Sequence, residues 1–116
     1  ILAAQNYIHD NCQKALTIDK IAARVNMSKR NFIRRFKQAV NLTPTEYIQK
    51  TKIETAKKSL ETDTASIVQI MYNLGYNDIK TFRETFKRIT GITPQDYRKK
   101  YAQTTNPARI KPPPLD

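Results

Sequence analysis

One phrase occurs twice in this chain, and that repetition constrains the fold more than any other feature. Thr17 to Tyr47 and Ser66 to Tyr97 share a grammar. Ile18, Ile21, Ala22 and Val25 are matched by Ile67, Ile70, Met71 and Leu74 at an offset of 49 (67 minus 18). Phe32, Phe36, Lys37, Thr43, Pro44 and Tyr47 are matched by Phe82, Phe86, Lys87, Thr93, Pro94 and Tyr97 at an offset of 50 (82 minus 32). One extra residue in the second copy's turn accounts for the change. Chance readily gives two amphipathic helix pairs. It does not readily give Phe-x-x-x-Phe-Lys followed at the same distance by Thr-Pro-x-acid-Tyr in both. The chain is therefore read as an internal duplication.

Each copy is a pair of helices. In the second, Ser66 opens a capping box, Ser66-Ile67-Val68-Gln69. Ile67, Ile70, Met71 and Leu74 then form one apolar face at helical spacing. Gly75 ends that helix, Asn77 or Asp78 caps the next, and Phe82, Phe86 and Ile89 form the next apolar face. In the first copy Thr17 caps a helix with Asp19 in its first turn, and Ser28 caps the second. Phe32, Phe36, Ala39 and Val40 point one way; Arg30 and Arg34 point the other, flanked by Asn31, Lys37 and Gln38. That helix ends near Asn41. A short helix, a tight turn and a second helix with a basic free face make a helix-turn-helix signature.

The rest of the chain fits around the two copies. Residues 1–13 read as a helix with Ile1, Ala4, Ile8 and Cys12 on one face. His9 and Cys12 are too few to hold a metal, and Cys12 reads as a small buried hydrophobe. Thr43-Pro44-Thr45-Glu46 starts a new helix by cap, N1 proline and capping box together. No breaker follows until about Thr62, so this long helix joins the repeats, with Lys50, Lys52, Lys57 and Lys58 among its charges. Gly91-Ile92-Thr93-Pro94 repeats the stop and restart before a short last helix. From Ala102 the periodicity vanishes, and Pro107 and Pro112-Pro113-Pro114 favour a disordered tail. The expected fold is all-α, with about seven helices. Two helix-turn-helix subdomains, 1–43 and 62–101, are joined by a linker helix over 44–61, and a Pro-rich tail covers 102–116.

Charge points to the partner. The net charge is +11, from 21 Lys plus Arg against 10 Asp plus Glu in 116 residues. A face kept charged for solubility usually mixes signs. Met27 to Gln38 instead carries Lys29, Arg30, Arg34, Arg35 and Lys37 without an acid, which favours a polyanion. No apolar run reaches membrane length and no signal peptide is visible. A single Cys12 fits a reducing, cytoplasmic compartment. The chain begins in a helical pattern without an initiator Met, as expected of a fragment of a longer protein. An enzyme finds no support: there is no nucleophile set, phosphate loop or clustered metal ligands, and no cofactor is expected. An RNA-binding or protein-interaction module is the other alternative.

The motifs G-[FY]-x-[DS]-x-x-x-F-x-x-x-F-K and G-x-[ST]-P-x-x-[FY]-R stand here as Gly75, Tyr76, Asp78, Phe82, Phe86, Lys87, then Gly91, Thr93, Pro94, Tyr97 and Arg98. On them the chain resembles the DNA-binding domain of the AraC family of bacterial transcription regulators, over about residues 1–101. The resemblance implies a monomeric domain placing two recognition helices into successive major-groove segments of double-stranded DNA. It also implies RNA polymerase as a partner and a missing N-terminal effector or dimerisation domain. Met71 stands where the family often has Ala, Lys52 where Arg is common, and Glu84 where Arg sometimes stands. Carried onto this sequence and combined with the helical faces, the expected base contacts are Arg30, Asn31 and Arg34, then Lys80, Thr81, Arg83 and Glu84. Lys29, Arg35, Lys37, Lys87 and Arg88 are expected on phosphates. Phe32, Phe36, Phe82 and Phe86 belong to the core rather than to base stacking.

Overall fold

The computed structural model describes residues 1–102, and among them there are seven helices and no strand. They are α1 Leu2–Asp10, α2 Ile18–Arg24, α3 Lys29–Val40, α4 Pro44–Thr62, α5 Ile67–Asn73, α6 Ile79–Thr90 and α7 Pro94–Tyr101. The Pro-rich tail lies outside the described residues from position 103 onward. Ala102, assigned to that tail by its sequence, is 3% exposed and its amide closes α7 on the Arg98 carbonyl.

Local chemistry sets most helix boundaries. Thr17, Ser28, Ser66, Asp78 and Thr93 each accept a bond from the backbone N–H three residues on. At α4 the capping box is reciprocal: Thr43 N–H donates to Glu46 Oε1 (2.8 Å) and Glu46 N–H to Thr43 Oγ1 (3.1 Å). At α5 only the Ser66 half of the expected box forms, because the Gln69 amide donates to Asn73 instead. Helix α1 stops at Asp10, three residues before the periodicity suggested. The Asn11 side chain bonds back to the Tyr7 carbonyl, and Cys12 falls in the following turn, still only 8% exposed.

The two helix-turn-helix turns are closed in the same way. Met27 N–H reaches Ala22 O (3.0 Å) and Asn26 N–H reaches Ala23 O (3.1 Å). Tyr76 N–H reaches Met71 O (3.1 Å) and Gly75 N–H reaches Tyr72 O (3.0 Å). Both are Schellman motifs, which need a left-handed residue just past the C-cap. The extra residue of the second copy is Asn77, inserted between this motif and the cap Asp78.

The chain divides into a first unit of Ile1–Lys52 and a second beginning at Ile53. Ala4, Ile8, Ile21, Ala22, Phe32, Phe36 and Ile48 form the first core. The second gathers Ile53, Ala56, Leu60, Ile70, Met71, Leu74, Phe82, Phe86 and Tyr97. All four phenylalanines have zero exposure, which fixes the rotation of α3 and α6. Ala39, placed on the apolar face by its angle, is exposed, while Val40 beside it packs against the first core.

The duplication is longer than the sequence reading found. Ala4 and Ile8 of α1 correspond to Ala56 and Leu60 in the second half of α4, all with zero exposure. The Tyr47 hydroxyl lies 2.8 Å from His9 Nε2 of α1, and the Tyr97 hydroxyl donates to Glu61 of α4. Burial first, then Glu61, pushes the Tyr97 phenol above its usual range. One cation then fastens the stretch that enters each repeat. Lys52 Nζ donates to the carbonyls of Cys12 (2.5 Å) and Lys14 (2.7 Å). Arg98 spreads its donors over the carbonyls of Ala65 (2.7 Å), Asp63 (3.1 Å) and Leu60 (3.3 Å). Lys52, read from sequence as one of the α4 surface charges, is thus 8% exposed, and desolvation lowers its pKa.

Candidate nucleic-acid interface

Helix α3 carries five cations, Lys29, Arg30, Arg34, Arg35 and Lys37, and no acid. With Phe32 and Phe36 turned into the core, Arg30, Arg34, Lys37 and Gln38 lie exposed on the other side. Asn31 is half-buried in the first turn, its N–H on the Ser28 cap at 3.2 Å. Its side-chain oxygen accepts from Arg34 Nη2 at 2.6 Å. Lys29 stands 4.0 Å from Asp19 of α2 with both side chains largely exposed, a pairing that water screens heavily. Arg35 is exposed at the flank, where the second copy has the buried Thr85.

Helix α6 presents Lys80, Glu84 and Lys87 outward, with Thr81 and Arg88 alongside, all exposed. Glu84 takes the place that Arg34 holds in the first copy (84 minus 34 is 50). The Thr81 hydroxyl donates to Asp78 Oδ2 at 2.6 Å. That bond, and then the Thr81 N–H, hold the Asp78 carboxyl below its ordinary pKa. Arg83 is exposed but sits at the edge of the helix, beside Ile67, Val68, Ile79, Pro94 and Gln95. Its counterpart in the first copy is the half-buried Ile33. The two outward faces therefore differ: the first bears cations and no acid, and the second has an acid at its centre.

Helical geometry thus brings Arg30, Arg34 and Lys37 onto one face of α3, and Lys80, Glu84 and Lys87 onto one face of α6. Arg35 and Arg83 stand aside from these stripes. The Asn31–Arg34 bond was missed from sequence, although i,i+3 spacing is the signal for such a pair. No group of three or more metal-ligating side chains occurs among the described residues. None of their helices is long and apolar enough to cross a membrane.

A family model described as a helix-turn-helix domain matches residues 21–100. The chain belongs to the AraC family. The raffinose operon transcriptional regulatory protein RafR of Pediococcus pentosaceus is 33% identical over 96 residues, 83% of this chain and 35% of that protein. A solved transcriptional regulator of the AraC type from Chromobacterium violaceum superposes with a TM-score of 0.80 at 31% identity, covering 87% of this chain and 90% of that one. The DNA-binding domain of AdpA, solved with a target DNA, superposes with a TM-score of 0.82 at 25% identity, covering 86% and 90%. This AraC-type domain spans about a third of the length of the curated relatives it matches. The family is one of DNA-binding domains of transcription regulators, which is not an enzyme class.

Proposed function

We propose that this AraC-type domain reads double-stranded DNA with α3 and α6 as recognition helices in successive major-groove segments, and serves as the output part of a longer transcription regulator. The acid-free exposed face of α3 carries the reading: its sign suits phosphate, and its guanidinium forks suit base edges. In this scheme Arg30 and Arg34 contact guanine O6 and N7, with Asn31 beside them. Lys80, Thr81, Arg83 and Glu84 are the base-facing set of α6. Lys29, Arg35, Lys37, Lys87 and Arg88 hold phosphates, which sets register without reading sequence. The first unit supplies most of the affinity, because no acid interrupts the cations of α3. RNA polymerase and an N-terminal effector or dimerisation domain are the protein partners in this reading. The site is cytoplasmic, non-enzymatic and free of cofactor.

Competition binding tests it. A duplex selected from a random pool is bound, then challenged with random duplex and with RNA of equal length at several salt concentrations. The selected duplex should hold by about 10³-fold or more over random duplex. Affinity should fall steeply with salt. Equal competition by RNA would overturn the reading.

A further inference from the structure

We propose that Asn31 reads no base of its own and instead fixes the guanidinium of Arg34, so that α3 offers the groove a donor-rich surface matched to guanine. This rests on α3 being a recognition helix. Asn31 is held twice: its N–H lies on the Ser28 cap, and its Oδ1 receives Arg34 Nη2 at 2.6 Å. An Asn that reads adenine must turn its oxygen and its amide nitrogen to the same base, to meet N6 and N7 together. Here the oxygen already accepts from Arg34 along the helix, which uses one of its two lone pairs, while both NH₂ donors stay unengaged. Arg34 gives up one of its N–H groups and keeps the others. The pair therefore presents a surplus of donors, and guanine, with O6 and N7, is the base whose groove edge offers two acceptors. Holding one rotamer before binding also spares Arg34 the entropy of being ordered by the DNA.

The second repeat supplies the contrast within one fold. Thr81 stands in the place of Asn31 and Glu84 in the place of Arg34 (81 minus 31 and 84 minus 34 are both 50). The Thr81 hydroxyl is committed backward to Asp78, and Glu84 is an acceptor. The donor-rich pair therefore belongs to the first repeat alone, and the guanine it reads lies under α3.

The test uses the full chain, with sites selected from random duplex and affinities read by fluorescence anisotropy. Arg34→Ala should lower the preference for guanine at one base pair by about 5- to 150-fold. Asn31→Ala should weaken the preference at that same pair by about 2- to 12-fold and at no other. The double variant should discriminate no worse than Arg34→Ala. Asn31→Asp keeps the acceptor, so it should keep the guanine preference while weakening binding to all sequences alike. Melting curves confirm that each variant is folded. Loss of an adenine preference at a neighbouring pair in Asn31→Ala would make Asn31 a reader and overturn the proposal. So would an unchanged preference at the Arg34 pair. If Arg34→Ala leaves every position unchanged, the fault lies deeper, in the reading of α3 as a base-contacting helix, and both proposals fall.

Discussion

Asn26 and Gly75 hold the same left-handed backbone at the same point of the two repeats, with φ of 59° and 85°. Each lets the next amide reach back to the helix just ended, and each so sets the direction in which the recognition helix leaves. A side chain in this conformation is strained, though Asn less than most. Gly75→Ala should therefore cost about 1–2 kcal/mol. Asn26→Gly should leave stability within about 0.5 kcal/mol, because relief of strain is offset by the freer unfolded chain. Denaturant titration of both variants checks this; a neutral Gly75→Ala would show that the turn is not left-handed in solution.

Tyr76 follows Gly75 and lies against Phe82, with ring centroids 5.2 Å apart. Its hydroxyl is buried without a hydrogen-bond partner among the described residues, and that desolvation raises its pKa. An unsatisfied buried donor typically costs about 1–3 kcal/mol. Tyr76→Phe keeps the ring and removes the orphan, so the melting temperature should rise. A clear fall in a calorimetric scan would reveal a partner for the hydroxyl.

Asp78 gives the second repeat an acid-sensitive cap. Its folded pKa is lowered, chiefly by the Thr81 hydroxyl and next by the Thr81 N–H. Its contribution is therefore present above the unfolded carboxylate value of about 4 and is lost as pH falls through the folded value. Asn caps helices too but does not titrate. The stability advantage of the wild type over Asp78→Asn should thus shrink as pH drops below about 4. An advantage that stays constant across that window, in denaturant melts at stepped pH, would contradict it.

Glu84 stands among Lys80, Lys87 and Arg88 on the exposed face of α6. An acid beside phosphates repels them unless a cytosine amino group receives it. Glu84→Gln should strengthen binding to specific and scrambled duplexes alike. Footprinting on both decides, since a loss confined to the specific site would make Glu84 a base reader.

The sequence alone determined the duplication, the helix-turn-helix pairs and nearly every cap. Thr17, Ser28, Thr43, Ser66 and Thr93 act on N–H groups three residues away, and Phe32, Phe36, Phe82 and Phe86 recur at one turn's spacing. Those signals lie within four residues, so a linear reading holds them all. The AraC resemblance was legible for the same reason, because Gly75, Asp78, Gly91, Thr93 and Pro94 are local punctuation. What only the tertiary structure decided is where side chains find partners far along the chain. Lys52 turns inward to Cys12 and Lys14, and Arg98 to Leu60, Asp63 and Ala65, because the loops entering each repeat fold back and expose carbonyls there. Tyr47 and Tyr97 meet α1 and the second half of α4, which reveals those helices as counterparts. No spacing in the sequence announces such bonds, since a carbonyl 33 to 40 residues away becomes a partner only after the cores have closed.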